Sequence, residues 1–161
     1  MKKESEKEIT LFLPEYITHS PTFSNYSIAV YSALKMITST TGMEKQCITP
    51  YQIAYLLTGN EVQSKHTINY IKCGLDELIK ENVIMKTNEI QKHYLLDCSN
   101  LWIDTEKDKF TIITFHEVEE IFKVENTNNF LLLKYFIFLI GTINSKIDVW
   151  IDAYQHKNRV V

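Results

Sequence analysis

Five histidines, three cysteines and a cluster of glutamates are the residues best suited here to acid–base, nucleophilic or metal chemistry, and their spacing gives them little to do together. His19, His66, His93, His116 and His156 share no short interval with one another or with Cys47, Cys73 and Cys98. His116 and Glu117, with Glu119 and Glu120, could be read as metal ligands. No helical zinc spacing accompanies them, however, and a solvated acidic turn is the better expectation. No glycine-rich phosphate loop, nucleophile elbow or paired-carboxylate motif occurs. The expectation is a chain that is not an enzyme, with no catalytic residue, no metal and no cofactor.

Non-covalent chemistry is better represented. Between Glu61 and Asp76 there is no acidic residue, while Lys65, His66 and Lys72 fall in that interval. At 3.6 residues per turn a helix started by Ser64 sets Lys65, His66, Asn69, Tyr70 and Cys73 away from its apolar stripe, with Lys72 at the margin. Lys and Tyr suit phosphate oxygens, and Asn suits the edge of adenine. Ser64 and the free N–H groups of a helix start suit phosphate as well. A following hairpin carries Lys86, Asn88, Gln91, Lys92 and His93 around its tip. These types point to DNA contact; the bland alternative is a solvated helix face and a polar turn.

The elements that must hold these residues follow from periodicity and caps. Residues 1–8 are a charged tail. "ITLFL", Ile9 to Leu13, reads as a short extended segment ended by Pro14, and a loop follows. Ser24 or Asn25 caps a helix to about Thr41, closed by Gly42. Thr49-Pro50 pairs a capping hydroxyl with proline at the first helical position and starts a short helix that Gly59-Asn60 terminates. Ser64 caps a longer helix to about Asn82, with Ile68, Ile71, Leu75, Leu78 and Ile79 on one face. Asn82 suits a left-handed turn. "VIMKT" and "KHYLLD" then read as strands joined by a turn around "NEIQ". The fold class is mainly α with a small β-hairpin, an α+β chain. Four Gly and three Pro in 161 residues suit helices better than an all-β fold.

Net charge is −3, which is low for a ligand of nucleic acid, and from Glu44 to His93 six acids balance six bases. Local potential rather than total charge sets phosphate attraction, and Glu117, Glu119, Glu120 and Glu125 lie elsewhere in the sequence. Four to six cations would bind weakly, so a second copy is expected. An odd number of cysteines without paired spacing suits a reducing, cytoplasmic setting and buried small side chains. The apolar run from Phe130 to Ile143 holds Lys134 and is too short to span a bilayer of roughly 30 Å; a buried helix with no membrane role is expected.

Residues 99–161 contain a second strand-helix unit. "TIITFHEVEEI" can be laid beside "ITLFLPEYI", and "NNFLLLKYFIFLIGTINS" beside "SNYSIAVYSALKMITSTT". Asn25-Tyr26 then meets Asn129-Phe130, and Tyr31 meets Tyr135. Either this is an internal repeat, whose second copy stops before its own helix-turn-helix and leaves "DVWIDAYQHKNRVV" as a shortened continuation, or any two capped amphipathic helices look alike. In the first case the chain is a piece of a longer protein.

The stretch from Ile48 to Asp97 resembles the winged helix-turn-helix superfamily, carried by "TPYQIAYLLTG" and by Ser64, Thr67-Ile68, Leu75, Leu78 and Glu81-Asn82-Val83-Ile84. It departs from the pattern between Gly59 and Ser64, where the linkage is two or three residues too long. Residues 9–98 would form this winged module and residues 99–161 a partial repeat or a dimerisation segment. The N-terminal segment, the Ser24 helix and the module together are similar to N-terminal domains of plasmid and phage replication initiators and of DnaD-type primosome proteins. That likeness implies double-stranded DNA and replication proteins as partners, and DNA contacts at Ser64, Lys65, His66, Asn69, Tyr70, Lys72, Lys86, Asn88, Lys92 and His93. It also implies a homodimer built on Leu11, Leu13, Phe130, Leu133, Phe136 and Ile137. A transcription regulator shares the module, and a protein–protein or oligomerisation module that has given up DNA is the reading from another class.

Overall fold

The computed structural model describes residues 8–158, and side chains within residues 8–143. Most of the expected tail and the side chains of the shortened continuation, His156 included, lie outside the described residues. The chain is α+β. In order it runs β1 (Thr10–Pro14), α1 (Glu15–Thr18), α2 (Asn25–Thr41), β2 (Lys45–Ile48), α3 (Pro50–Thr58), α4 (Lys65–Lys80), β3 (Met85–Ile90), β4 (His93–Asp97), a 3-10 turn at Ser99–Leu101, β5 (Phe110–Thr114), α5 (Phe115–Phe122) and α6 (Asn129–Asn158).

Local chemistry fixes the helix ends. Thr49 accepts from the Gln52 N–H at 3.2 Å while the Gln52 side chain accepts from the Thr49 N–H at 2.8 Å, closing a capping box on α3. Gly42 and Gly59 end α2 and α3 at φ +67° and +70°, where a side chain would be strained. Asn82 takes the left-handed turn after α4 at φ +57°.

The start of α2 is capped from a distance. Ser24 is extended but its own side chain makes no cap. The Glu77 carboxylate, on α4, accepts from the Ser24 N–H at 3.0 Å, from the Ser24 hydroxyl at 2.7 Å, and from the Ser27 hydroxyl. The same helix pair needs Gly74, because a Cβ there would lie 2.6 Å from the Tyr26 carbonyl oxygen and 2.8 Å from Val30 Cγ2. These two contacts lock α4 onto α2.

A three-stranded antiparallel sheet of order β2-β4-β3 flanks the helices. The expected hairpin differs in detail from the one found. β3 runs on through Asn88-Glu89-Ile90, with an irregularity between Lys86 and Asn88, so the turn is Gln91-Lys92 rather than "NEIQ". β2, whose Lys45 pairs with Asp97 and Ile48 with Tyr94, carries no alternating pattern of its own and was not foreseen.

β1 pairs antiparallel with β5 across the length of the chain, Phe12 opposite Ile112. The order strand, helix, helix thus occurs twice, as β1-α1-α2 and β5-α5-α6. α2 packs on α6, α1 touches α6, and α2 touches α5, so the contacts are reciprocal. Tyr26 and Phe130, the pair aligned from sequence, meet edge to face at 5.1 Å. Tyr31 and Tyr135 diverge: Tyr31 is buried and donates to the Leu101 carbonyl, while Tyr135 is 61% exposed. Among the described residues the second set has no counterpart of α3 and α4. The expected acidic turn at His116 is instead the helix α5, closed by a Thr114–Glu117 capping box.

One core unites both sets, so the strand-helix unit after residue 98 is not packed apart from what precedes it. The residues expected at a dimer surface belong to this core or pack against it. Leu11, Leu13, Leu133 and Ile137 are fully buried within the chain and Phe130 nearly so, while Phe136 packs half-buried against the same core. β1 finds its strand partner within the chain, in β5. The cysteine expectation fails in part also, since only Cys98 is buried and Cys47 and Cys73 are exposed. Among the described residues no helix is long and apolar enough to cross a membrane.

Candidate nucleic-acid interface

α4 presents its flanks unequally. Ile71, Gly74, Leu75 and Leu78 face the core. At 100° per residue, Lys65, Asn69 and Lys72 then lie toward one flank, and His66, Tyr70 and Glu77 toward the other. The first flank borders the hairpin and the start of α3. There Lys72 meets Lys92 and His93 around a cleft of about 490 Å³ whose lining also includes Thr49, Tyr51 and Tyr94. Lys65, Asn69, Lys72, Lys92 and His93 are exposed, and among the described residues none of the three lysines is in an ion pair.

The second flank is spent on packing. Tyr70 stacks on Tyr26 with ring centres 4.5 Å apart and planes 4° from parallel, and meets Phe130 edge to face at 5.8 Å. It remains 38% exposed, but its ring belongs to the α2–α4–α6 junction and not to the cationic flank. His66 lies over the same tyrosine at 6.5 Å. The Ser64 hydroxyl is engaged too: it caps α4 by accepting the Thr67 N–H at 3.1 Å and bonds the Thr67 hydroxyl at 2.9 Å. Tyr70, His66 and Ser64 thus make contacts within the chain while remaining exposed.

The hairpin is equally selective. Lys86 pairs with Glu89 at 3.1 Å and lies over the Tyr94 ring at 5.3 Å, so its charge is already matched. That hydrogen bond to Glu89 pushes its ammonium pKa up. Asn88 accepts the Glu89 N–H at 2.8 Å, and His93 Nδ1 lies 3.1 Å from the Gln91 carbonyl. Gln91 and Lys92 both hold positive φ, +49° and +68°, the left-handed pair of a tight two-residue turn. Neither is glycine or asparagine, so the tip stores strain, of order 1 kcal/mol per residue. Burial first, and then the Asp76 and Glu89 carboxylates, push the Tyr94 pKa up.

The longer linkage between α3 and α4 is ordered by its own side chains. Gln63 Nε2 donates to Thr58 Oγ1 at 2.8 Å and to the Asn60 carbonyl at 2.6 Å, and the Tyr51 hydroxyl donates to the Glu61 carbonyl. Tyr51 at the mouth of the cleft and Glu89 in its lining are site residues the sequence did not disclose. Glu89 is placed by the pairing of β3 with β4, where it lies opposite Tyr94. Among the described residues no group of three or more His, Cys, Asp or Glu side chains could hold a metal ion. Compared with protein-family models, curated proteins and solved structures, the chain matches none.

Proposed function

We propose that the chain binds double-stranded DNA through a winged helix-turn-helix, with α4 as the reading helix and the β3–β4 hairpin as the wing. The carrying observation is convergence: Lys72 of α4 and Lys92 and His93 of the hairpin tip border one cleft, and Lys65 and Asn69 continue the same flank. The sheet order β2-β4-β3 behind three helices supports the same reading. The role proposed is replication initiation, with transcription regulation as the alternative use of the module.

Net charge of −3 and the carboxylates of Asp76 and Glu89 beside the lysines favour a second reading, a module that binds protein. Titration of the chain into labelled duplex at several salt concentrations separates the two. Each phosphate neutralised contributes a slope of about −0.9 to log K against log salt. K65A and K72A should each make that slope shallower by about one and leave the fold intact. Absent or salt-independent binding would leave only the protein-binding reading.

A further inference from the structure

The cleft between α4, the hairpin tip and the start of α3 is more than a phosphate needs. Its volume of about 490 Å³ lies within the range of roughly 300–1,000 Å³ typical of small-ligand sites. Its floor is apolar, from Pro50, Ile68 and Tyr94, and the ring of Tyr51 stands at its side. A phosphate gains nothing from such a floor, and the Glu89 carboxylate in the lining would repel it. A planar base gains from both. The cationic groups in the lining are Lys72 and Lys92.

We infer that this cleft takes one unpaired nucleotide of a DNA strand, the base against Tyr51 and the apolar floor and the phosphate on Lys72 and Lys92. The inference rests on the DNA-binding reading and deepens it from duplex alone to duplex with a displaced base. Glu89 sets a preference. One carboxylate oxygen is held by Lys86 at 3.1 Å, and the other is left to accept an exocyclic amine. Cytosine and adenine carry that amine and thymine does not. The strained tip fits this role: Gln91 and Lys92 both line the cleft and both hold positive φ. Strain of this kind persists where the surrounding structure fixes a functional geometry.

The test compares the full chain on a short unbroken duplex, on the same duplex with one bulged cytosine, and on one with a bulged thymine, by fluorescence anisotropy. Direct titration with deoxycytidine monophosphate runs alongside. The bulged cytosine should bind about tenfold tighter than the unbroken duplex, the gain expected of one stacked base, and tighter than the thymine bulge. Y51A should lose that gain while Y51F keeps it, with thermal melts confirming that both fold, and E89Q should erase the preference for cytosine over thymine. Equal binding to all three duplexes, or a bulge gain that survives in Y51A, overturns the inference and leaves duplex binding standing. Mononucleotide binding without duplex binding would uphold the cleft and overturn the DNA reading. Binding to none of these probes overturns both.

Discussion

Replacing Lys92 with glycine should raise stability and weaken DNA binding at once, a combination that few surface substitutions produce. Lys92 sits at φ +68°, next to Gln91 at +49°, in the two-residue turn between β3 and β4. An L-residue in that region costs about 1–2 kcal/mol, which glycine does not incur. Glycine loses more chain entropy on folding, roughly 0.5–1 kcal/mol, so the net gain is about 0.5–1 kcal/mol. For a chain of this size that is a rise of about 1–4 °C in Tm. The same change removes one exposed cation from the cleft, and the salt slope of duplex binding should become shallower by about 0.9. Q91N is the control, because asparagine tolerates the left-handed region and carries no charge: Tm should rise while the slope stays the same. Differential scanning calorimetry and salt-dependent anisotropy read the two quantities separately. A lower Tm for K92G would refute the strained turn, and an unchanged slope would refute the phosphate contact.

Three further predictions concern the lock between α2 and α4. G74A pushes a methyl against backbone that cannot yield, since the obstacle at 2.6 Å is the Tyr26 carbonyl; it should cost about 1–3 kcal/mol, visible as a drop of several degrees in Tm. E77A strips the partner from the Ser24 N–H and from two hydroxyls, with an expected loss of about 1–3 kcal/mol in urea denaturation. The pH dependence at Glu77 has a definite sign. Partial burial pushes its carboxyl pKa up, but the hydrogen bonds from Ser27 and Ser24 outweigh burial and hold it below the usual glutamate range. A depressed carboxyl contributes stability that is fully present above its unfolded pKa and is lost as pH falls through the folded value. Acid titration should therefore weaken the wild type more than E77Q, and parallel acid profiles would rule out the clamp.

Much of the secondary structure was legible in the sequence because helix ends are decided within a few residues. Thr49 with Pro50 and Gln52, Ser64 with Thr67, and the glycines at 42 and 59 satisfy orphan backbone groups locally, and all fall where the sequence places them. The acid-free first part of α4 was legible for the same reason, as spacing alone puts Lys65 and Asn69 outside the apolar stripe and Lys72 at its margin. The site was only partly legible. Sequence sets Tyr70 away from the apolar stripe and Lys72 at its margin, and only the position of Tyr26 on α2 decides that Tyr70 is stacked.

By itself, then, the sequence determined α2, α3 and α4, the caps at Thr49 and Ser64 and the carboxylate-free run from Val62 to Leu75, all of which depend on interactions within a turn or two. Tertiary structure alone decided that β1 pairs with β5 a hundred residues away and so encloses Leu11 and Leu13. It alone decided that Glu77 caps a helix not its own, and that Tyr51 and Glu89 share a cleft with Lys72. Strand partners and cleft walls are chosen by which surfaces bury together once the chain closes on itself, and no local periodicity encodes that choice.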